Sequence, residues 1–293
     1  MGGFLILFLL ALAALYAVMV VVATYVSVHP PRVPLWLSPA MLGFPQEDVK
    51  IDTGGLTLTG WWSDGGEGSL VMVCCHGYLM NRCELMPFIV TLADLGASWL
   101  FFDFRCHGKS GGRLCTMGRD EATDVAAAVR FVRARRPGAK IVLFGSSMGG
   151  SASAIAVGDD PGLADGLVLD GAYSSMDEAG RGWWDFLGGK VAAVLLRPTL
   201  WIGRLFVGFN PAKVVIADYL MKAQHKPVLF LAGDDDPVVP IASLERNVVA
   251  SGSLTWVEKF EGSGHGEARF REPERYVDAV RRFVRGEVLG VGP

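Results

Sequence analysis

The chain has 293 residues, 51% of them hydrophobic, and a formal net charge of only -3. Its 27 basic and 30 acidic side chains nearly balance, which excludes the strongly basic surface that a nucleic-acid-binding protein needs against phosphate. The 37 glycines follow no triplet period, and the five cysteines are sparse and odd in number, so a collagen-like chain and a disulfide-rich scaffold are also excluded.

An uncharged apolar stretch occupies residues 4–28. As a helix it would be ~37 Å long, which is enough to cross a hydrocarbon core of ~30 Å. A cleaved signal peptide is the alternative, but it needs a basic start and an apolar region of roughly 7–15 residues, and nothing basic precedes Phe4. The sequence therefore predicts one transmembrane anchor over residues 1–28. Arg32 follows the stretch and favours a cytoplasmic position for the rest of the chain by the positive-inside rule, although one arginine leaves the side open.

The rest of the chain has an ordinary soluble composition. Residues 29–48 are rich in proline and predict a stiff spacer, and residues 49–293 are the predicted globular domain. In that domain, short apolar segments alternate with segments of helical periodicity, which predicts an α/β fold with a mainly parallel sheet. The predicted strands are residues 56–62, 69–75, 98–104, 140–145, 166–171, 226–233 and 254–260. The predicted helices include residues 82–95, 119–136 and 273–285.

The sharpest motif is Gly-x-Ser-x-Gly at residues 145–149, between a predicted strand and a helix of small residues. This context is typical of a nucleophile elbow, in which the glycines permit a tight turn that lifts the serine hydroxyl above the sheet. The motif alone is short and common, so its meaning depends on partners elsewhere in the chain. It makes Ser147 the candidate nucleophile.

A serine hydroxyl needs an imidazole to take its proton and a carboxylate to orient that imidazole. Three consecutive aspartates ending at Asp236 follow one predicted strand, and His265 follows the next, between two glycines. Pro237 restricts Asp236 to an extended conformation, which favours it in part as the acid. The two aspartates before it and Asp170, at an earlier strand end, remain alternatives.

The segment His76-Gly77-Tyr78 follows another predicted strand. A glycine there lets the backbone turn, so that the N–H groups of Tyr78 and Met148 are the predicted oxyanion hole. His76 competes with His265 as a catalytic base, but the sequence favours a structural role for it in the loop.

With these motifs the sequence resembles a membrane-anchored member of the α/β-hydrolase superfamily, near its serine-aminopeptidase-like and lysophospholipase-like branch. The resemblance implies a mostly parallel eight-stranded sheet with flanking helices, no cofactor or metal, and a triad of Ser147, Asp236 and His265. Cys106 departs from the family pattern, in which glycine is more usual. The segments that carry the resemblance, over about residues 49–286, are HGYLMNR (76–82), FFDFRCHGKSGG (101–112), GSSMGG (145–150), LDGAYSS (169–175), GDDDPVVP (233–240) and GSGHGE (262–267).

Residues 176–224 predict a helical cap, because they form an insertion rich in tryptophan, leucine, valine and phenylalanine. Trp183 and Trp184 are the candidate substrate-binding residues. The alternatives are that these rings only pack the cap onto the sheet, or that part of the cap enters a membrane interface.

The predicted function is therefore a serine hydrolase of carboxylic esters, acting through an acyl-enzyme on a small ester or lipid-like ester. An aminopeptidase or amidase is one alternative; it would need carboxylates beside the pocket for the amine, and the candidates are Asp177, Glu178 and Asp185. An acyl-thioesterase is a second alternative. An inactive membrane-tethered binding module is the alternative from a different class.

Overall fold

The computed structural model describes residues 2–66 and 68–291, and it contains an eight-stranded sheet. The strands are β1 (Glu47–Asp52), β2 (Thr57–Ser63), β3 (Leu70–Cys75), β4 (Ser98–Phe102), β5 (Lys140–Ser146), β6 (Gly166–Asp170), β7 (Val228–Gly233) and β8 (Thr255–Phe260). Their order across the sheet is β1-β2-β4-β3-β5-β6-β7-β8. The β1/β2 and β2/β4 pairs are antiparallel and every other pair is parallel, which confirms the predicted fold class.

The helices lie on both faces of this sheet and complete two hydrophobic cores. They are α1 (Gly2–Val28), α2 (Phe88–Thr91), α3 (Glu121–Arg135), α4 (Met148–Asp159), α5 (Met176–Leu195), α6 (Pro198–Val207), α7 (Ile216–Lys222), α8 (Ile241–Ser251), α9 (Ala268–Arg271) and α10 (Pro273–Phe283). Because helices cover both faces, the central strands are apolar on both sides; all residues of β3, β4 and β6 are buried. The carboxyl ends of the parallel strands meet at one edge, where the site is found.

Two sequence-based expectations need correction. Strand β1, at the edge of the sheet, was not among the predicted strands, because its polar, partly exposed sequence EDVKID has only two buried residues. The helix predicted over residues 82–95 is wrong: only α2 and a 3-10 turn at Ala93–Leu95 are helical there. Pro87 lacks an N–H for the helix ladder, and the residues before it bond to other loops instead.

Helix α1 is long and apolar enough to cross a membrane, with a mean hydropathy of 3.0. Most of it is exposed, but Val20, Thr24 and Val28, four residues apart, are buried on one stripe. This stripe faces the cap, since Thr24 lies opposite Gly203 of α6, and the neighbouring Tyr25 makes an edge-on ring contact with Phe206. The described part of α1 is therefore attached to the domain along its last two turns.

The proline-rich segment after α1 lies against the domain. The Arg32 guanidinium donates hydrogen bonds to four backbone carbonyls between residues 107 and 112. The Asn81 side chain donates to the carbonyls of Val33 and Pro34 at 3.1 Å each. These contacts place the end of α1 beside the loops that surround the site.

The segment predicted as a cap, residues 176–224, contains α5, α6 and α7. Helix α7 packs against α4 and α8 of the sheet domain, so we use the name cap for α5 and α6. Helix α5 begins at the Ser175 side chain, which accepts a hydrogen bond from the N–H of Glu178, and it is kinked at Gly188 and Gly189. From the last residues before the kink onward, α5 and α6 form a hairpin with many exposed apolar side chains. These are Phe186, Leu187, Val191, Val194, Leu195, Trp201 and Leu205.

Candidate active site

The turn between β5 and α4 holds Ser147 in a strained backbone conformation, with φ 48° and ψ -113°. Its two flanking glycines are required by close contacts. A Cβ on Gly145 would lie 2.5 Å from the backbone of Gly150, and a Cβ on Gly149 would lie 2.0 Å from the Cys75 carbonyl oxygen. The Gly-x-Ser-x-Gly spacing therefore follows from the packing of this turn against β3 and its own helix.

Three predicted residues meet at the carboxyl edge of the sheet. The Ser147 Oγ lies 2.9 Å from His265 Nε2, and His265 Nδ1 lies 2.6 Å from Asp236 Oδ2. The other oxygen of Asp236 accepts hydrogen bonds from the N–H groups of Val238 and Val239, both at 2.8 Å. The carboxylate is thus held in one direction by its own loop, and an Nδ1–H on the imidazole leaves Nε2 free to accept the serine proton.

The other carboxylates in this region have different partners. Asp234 Oδ1 accepts the N–H of Gly262 at 2.7 Å, which joins the aspartate loop to the histidine loop. Asp235 is exposed. Asp170 accepts the Tyr276 hydroxyl at 2.8 Å and lies 3.3 Å from Arg269. Of the four candidate acids, only Asp236 is hydrogen-bonded to His265 in the described structure.

The two predicted oxyanion-hole residues line the same pocket as Ser147 and His265. His76 is buried and is used by the backbone: its Nδ1 lies 2.7 Å from the Gly77 carbonyl, and its Nε2 accepts the N–H of Phe104 at 3.0 Å. Burial, followed by the neighbouring His107, lowers the pKa of His76 to about 4. The ring is therefore neutral and fixes the shape of the loop that carries Tyr78.

A buried polar network behind Ser147 was not predicted from the sequence. Glu84 Oε2 accepts the N–H of Gly77 at 2.6 Å, and Glu84 Oε1 accepts the Ser146 hydroxyl at 2.8 Å. The Arg269 guanidinium lies 3.2 Å from Glu84 and donates to Ser146 Oγ at 2.8 Å. Glu84 thus connects the Tyr78 loop to the serine turn, and Arg269 compensates its buried charge. An isolated Glu and Arg give no signal of this pairing in a sequence.

Burial and neighbouring charges shift the pKa values of His265 and Glu84 in opposite directions. Burial alone lowers the pKa of His265, but the hydrogen bond and charge of Asp236 raise it, and the net pKa is above the ordinary value. Burial raises the pKa of Glu84, but Arg269 and the donated hydrogen bonds reverse this and lower it. The Glu84–Arg269 pair is therefore ionised at neutral pH.

Cys106 lies in a loop beside the site, at φ 54°, a left-handed conformation that favours glycine. This explains why the resemblance places glycine at this position. The thiol of Cys115, then the ring of His107, lower the pKa of Cys106 to about 6, against the effect of burial. The ligand atoms of Cys106, His107 and Cys115 all lie within 4.8 Å of one another. These three residues are one ligand fewer than a structural zinc site normally has.

The catalytic pocket contains about 1270 Å³ of empty space, including part that is open to the surroundings. Trp183 lines it and packs edge-on against the Tyr78 ring, with centroids 5.6 Å apart. Trp184 does not line this pocket; its indole N–H donates to Thr199 Oγ1 at 3.0 Å, within the cap. The structure thus brings one of the two predicted cap tryptophans to the serine.

The carboxylates considered for an amine site do not line this pocket either. Glu178 forms an ion pair with Arg246, and Asp177 forms one with Arg181. Asp185 also lies outside the lining. Two other carboxylates do line it: Glu84 is paired with Arg269, and Glu267 is exposed at the rim.

Comparisons with known proteins agree with this fold. Residues 67–202 match the family model described as serine aminopeptidase, S33. The chain is 32% identical over 246 residues to the protein Rv2307c of Mycobacterium tuberculosis, covering 81% of this chain and 78% of that protein. It is 27% identical over 218 residues to the alpha/beta hydrolase domain-containing protein WAV2 of Arabidopsis thaliana, covering 70% and 66%. The solved esterase Pf2001 of Pyrococcus furiosus matches with a TM-score of 0.75 at 25% identity, covering 89% of this chain and 98% of that one.

The chain therefore belongs to the α/β-hydrolase superfamily, and the resemblance seen in its sequence is confirmed. Its fold and relatives make it a hydrolase.

Proposed function

We propose that the protein is a serine esterase with Ser147, His265 and Asp236 as its triad. Ser147 Oγ attacks the ester carbonyl carbon while His265 Nε2 takes the serine proton, and His265 then donates that proton to the departing alcohol. Water attacks the resulting acyl-serine, giving its proton to His265, and the carboxylic acid leaves as Ser147 regains its hydrogen. Asp236 keeps its charge and orients the imidazole, and the N–H groups of Tyr78 and Met148 stabilise the oxyanion.

The observation that carries this proposal is the hydrogen-bonded chain from Asp236 through His265 to Ser147, which ends in an open pocket. A catalytically inactive binding module has no need of a serine held at φ 48° with an imidazole 2.9 Å away. Esterase is favoured over aminopeptidase because Asp177, Glu178 and Asp185 lie outside the pocket, and the carboxylates that line it are already engaged, Glu84 by Arg269 and Glu267 by the Gly264 N–H and Arg271.

We further propose that α1 anchors this esterase to a membrane as a single span, with the catalytic domain on the cytoplasmic side. The packing of Val20, Thr24 and Val28 on the cap supports retention of α1 over cleavage as a signal peptide. Arg32 and five free, buried cysteines favour the cytoplasmic side. Recovery of the native protein with an intact N-terminus, in the membrane fraction and sensitive to protease added from the cytoplasmic side, is the expected result; a chain shortened near residue 28 would contradict it.

The decisive experiment compares p-nitrophenyl esters of graded chain length, the matching thioesters and aminoacyl amides on the full chain in mild detergent. Ser147→Ala is the inactive variant, and Ser253→Ala, at an exposed serine outside the pocket, is the matched control. We expect ester turnover that Ser147→Ala abolishes and Ser253→Ala leaves unchanged. Robust amide or thioester cleavage with negligible ester turnover would replace the esterase assignment, and no turnover of any of them together with no fluorophosphonate labelling would support the binding-module alternative.

A further inference from the structure

A second cavity lies beside the catalytic pocket, between the end of α1 and the cap. It contains about 700 Å³ of empty space, part of which is open to the surroundings. One wall is the last two turns of α1, at Thr24, Ser27 and Val28. The opposite walls come from α5 and α6, including Trp184 and Gly203. We call it the α1–cap cavity.

The α1–cap cavity adjoins the site of chemistry. Four residues line both it and the catalytic pocket: Tyr78, Met117, Ala179 and Trp183. Tyr78 is also the residue whose N–H is assigned to the oxyanion hole. The two spaces therefore share a wall in which the Tyr78 and Trp183 rings pack together, and a chain attached to a carbonyl at Ser147 would enter the α1–cap cavity by displacing these rings.

The polar groups in its walls already have partners. The hydroxyls of Thr24 and Ser27 donate to the carbonyls of Val20 and Ala23, one helical turn earlier, at 2.8 Å each. The indole N–H of Trp184 is used by Thr199. Since these groups are satisfied within the protein, the cavity suits an apolar occupant and gains nothing from a polar one.

The helix wall is fixed to the active-site loops. The Tyr78 hydroxyl donates to the Ser27 carbonyl at 2.9 Å, and the Cys115 N–H donates to the Val28 carbonyl at 2.8 Å. The end of α1 is thus joined directly to the loop that carries the oxyanion-hole residue. Its position sets the width of the cavity.

The outside of the same region has many exposed apolar side chains, together with the exposed cations Lys190, Arg197 and Arg204. The Tyr16 hydroxyl donates to the Leu195 carbonyl at 2.8 Å, so the α5–α6 turn lies beside the middle of α1. Tyr16 is about 18 Å along the helix from Val28 at ~1.5 Å per residue. If α1 spans a bilayer, the exposed apolar side chains of the α5–α6 hairpin lie at the depth of lipid acyl chains, next to the cavity.

We propose that the α1–cap cavity is the binding site for the acyl chain of a membrane-resident, long-chain ester, and that α1 is one wall of this site as well as an anchor. The substrate class rests on the proposed esterase function. The carbonyl lies at Ser147, the chain passes Trp183 into the cavity, and the substrate enters from the membrane that holds α1.

The test uses the full-length protein in phosphatidylcholine vesicles and a fatty acid with a diazirine near the end of its chain. Illumination should crosslink the probe to residues 24–28 and 199–211. Two variants fill the cavity from opposite walls, Ser27→Phe on α1 and Gly203→Leu on α6, where a Cβ would lie 4.0 Å from Thr24. Their matched controls are Val26→Phe, at an exposed position of α1, and Gly286→Leu, at an exposed helical glycine with nothing within 4 Å.

Both filling variants should remove the cavity crosslinks, and both controls should keep them. In parallel, the filling variants should lower the ratio of decanoyl to acetyl ester kcat/KM at least tenfold, about the effect of two lost buried methylene groups. Crosslinks only on the outer face of α1 and α5, or cavity crosslinks that survive both filling variants, would overturn the proposal.

The crosslink needs no catalysis, so it tests the acyl-chain site separately from the proposed esterase activity. Cavity crosslinks without ester turnover would leave the acyl site in place and reject the esterase assignment. Ester turnover with equal chain-length ratios in all variants would keep the esterase and reject the acyl site. If a filling variant fails to fold by circular dichroism, the crosslink positions on the unaltered protein and the other variant decide.

Discussion

The catalytic edge of the sheet and the α1–cap region are held together by different forces. At the edge, Ser147, His265 and Glu84 are each fixed by side-chain hydrogen bonds, and the serine turn leaves no room for a Cβ on either flanking glycine. In the α1–cap region, the contact between α1 and α6 is mainly apolar, as in the ring contact of Tyr25 with Phe206, and hydrogen bonds such as Tyr16 to the Leu195 carbonyl are few.

If the proposed function holds, this difference separates the residues that set the reaction rate from those that select the substrate. Hydrogen bonds and steric contacts hold the side chains around Ser147 in a single geometry. A small change at this edge of the sheet should therefore lower the rate on every substrate. Apolar packing tolerates changes of shape with modest cost, so changes in the cap should alter which substrate is accepted more than how fast the bond breaks. The predictions that follow test this contrast, from the largest expected effect to the smallest.

The largest effect should come from Ser147→Ala. Loss of the nucleophile should lower kcat by roughly six decades, the scale measured for a triad serine in another hydrolase. The check is single-substrate kinetics together with fluorophosphonate labelling, both of which Ser147→Ala should abolish. Persistent labelling at Ser146 would show that the neighbouring serine is the nucleophile.

Asp236→Asn should come next, with a loss of about four decades in kcat and an intact fold, because the imidazole would be held in the wrong tautomer. Asp234→Asn is the matched control on the same loop, since its amide oxygen can still accept the Gly262 N–H, and it should cost under about tenfold. Should Asp170→Asn or Asp235→Asn be the inactive variant, the assignment of the acid would be wrong while the triad could stand.

Glu84→Gln tests a positioning residue. The neutral amide weakens the hydrogen bond from the Gly77 N–H, and among the described residues it leaves Asp170 as the remaining charged partner of Arg269. We expect kcat to fall about tenfold to a hundredfold, below the roughly 10²–10³-fold cost of losing an oxyanion donor itself, with KM nearly unchanged.

Glu267→Gln is the control for that change, because Glu267 is exposed and lines the same pocket. It should change kcat less than about threefold, since Gln keeps an acceptor for the Gly264 N–H. A rise in KM as large as the fall in kcat for Glu84→Gln would indicate substrate binding in place of positioning.

Site residues that lie in short sequence motifs can be predicted from the chain, whereas pairs of residues far apart in the sequence cannot. Ser147, His265 and Asp236 each follow a strand and lie in short motifs, so their roles can be proposed from the chain alone. Glu84 and Arg269 lie 185 positions apart and meet only because the loop after β3 and helix α9 lie at the same edge of the sheet, so no local pattern reveals the pair.

The same limit applies to α1. A helix that is apolar all round has no periodicity to show which face packs, so the stripe of Val20, Thr24 and Val28 is visible only in the structure. The predicted domain boundaries at residues 28 and 48 stay predictions, and the contacts of Arg32 show that the intervening segment touches the domain.

The pH profile should show the effect of Asp236 on His265. Because the pKa of His265 is raised above its ordinary value, the base is protonated and inactive at a higher pH than a free imidazole would be. The acid limb of kcat/KM should therefore lie above pH ~6.5 and fall about tenfold per pH unit below it. In Asp236→Asn the residual activity should have its acid limb at lower pH; a limb that stays in place would show that another group controls it.

The smallest effect should come from Cys106→Gly, which restores the residue that the family pattern favours. Glycine relieves the left-handed conformation at φ 54°, worth about 1 kcal/mol, but loses the buried thiol's packing, so the two changes oppose each other. We expect the free energy of unfolding to change by less than about 1 kcal/mol and kcat by less than about threefold.

The matched control is Cys83→Gly, at a buried thiol outside the left-handed positions. There glycine relieves no backbone strain, so the lost packing and the added backbone freedom of the unfolded chain both destabilise the protein. Denaturant titration of the two variants in detergent should therefore find Cys83→Gly less stable by about 1–2 kcal/mol, and equal destabilisation would show that the backbone at Cys106 stores no strain.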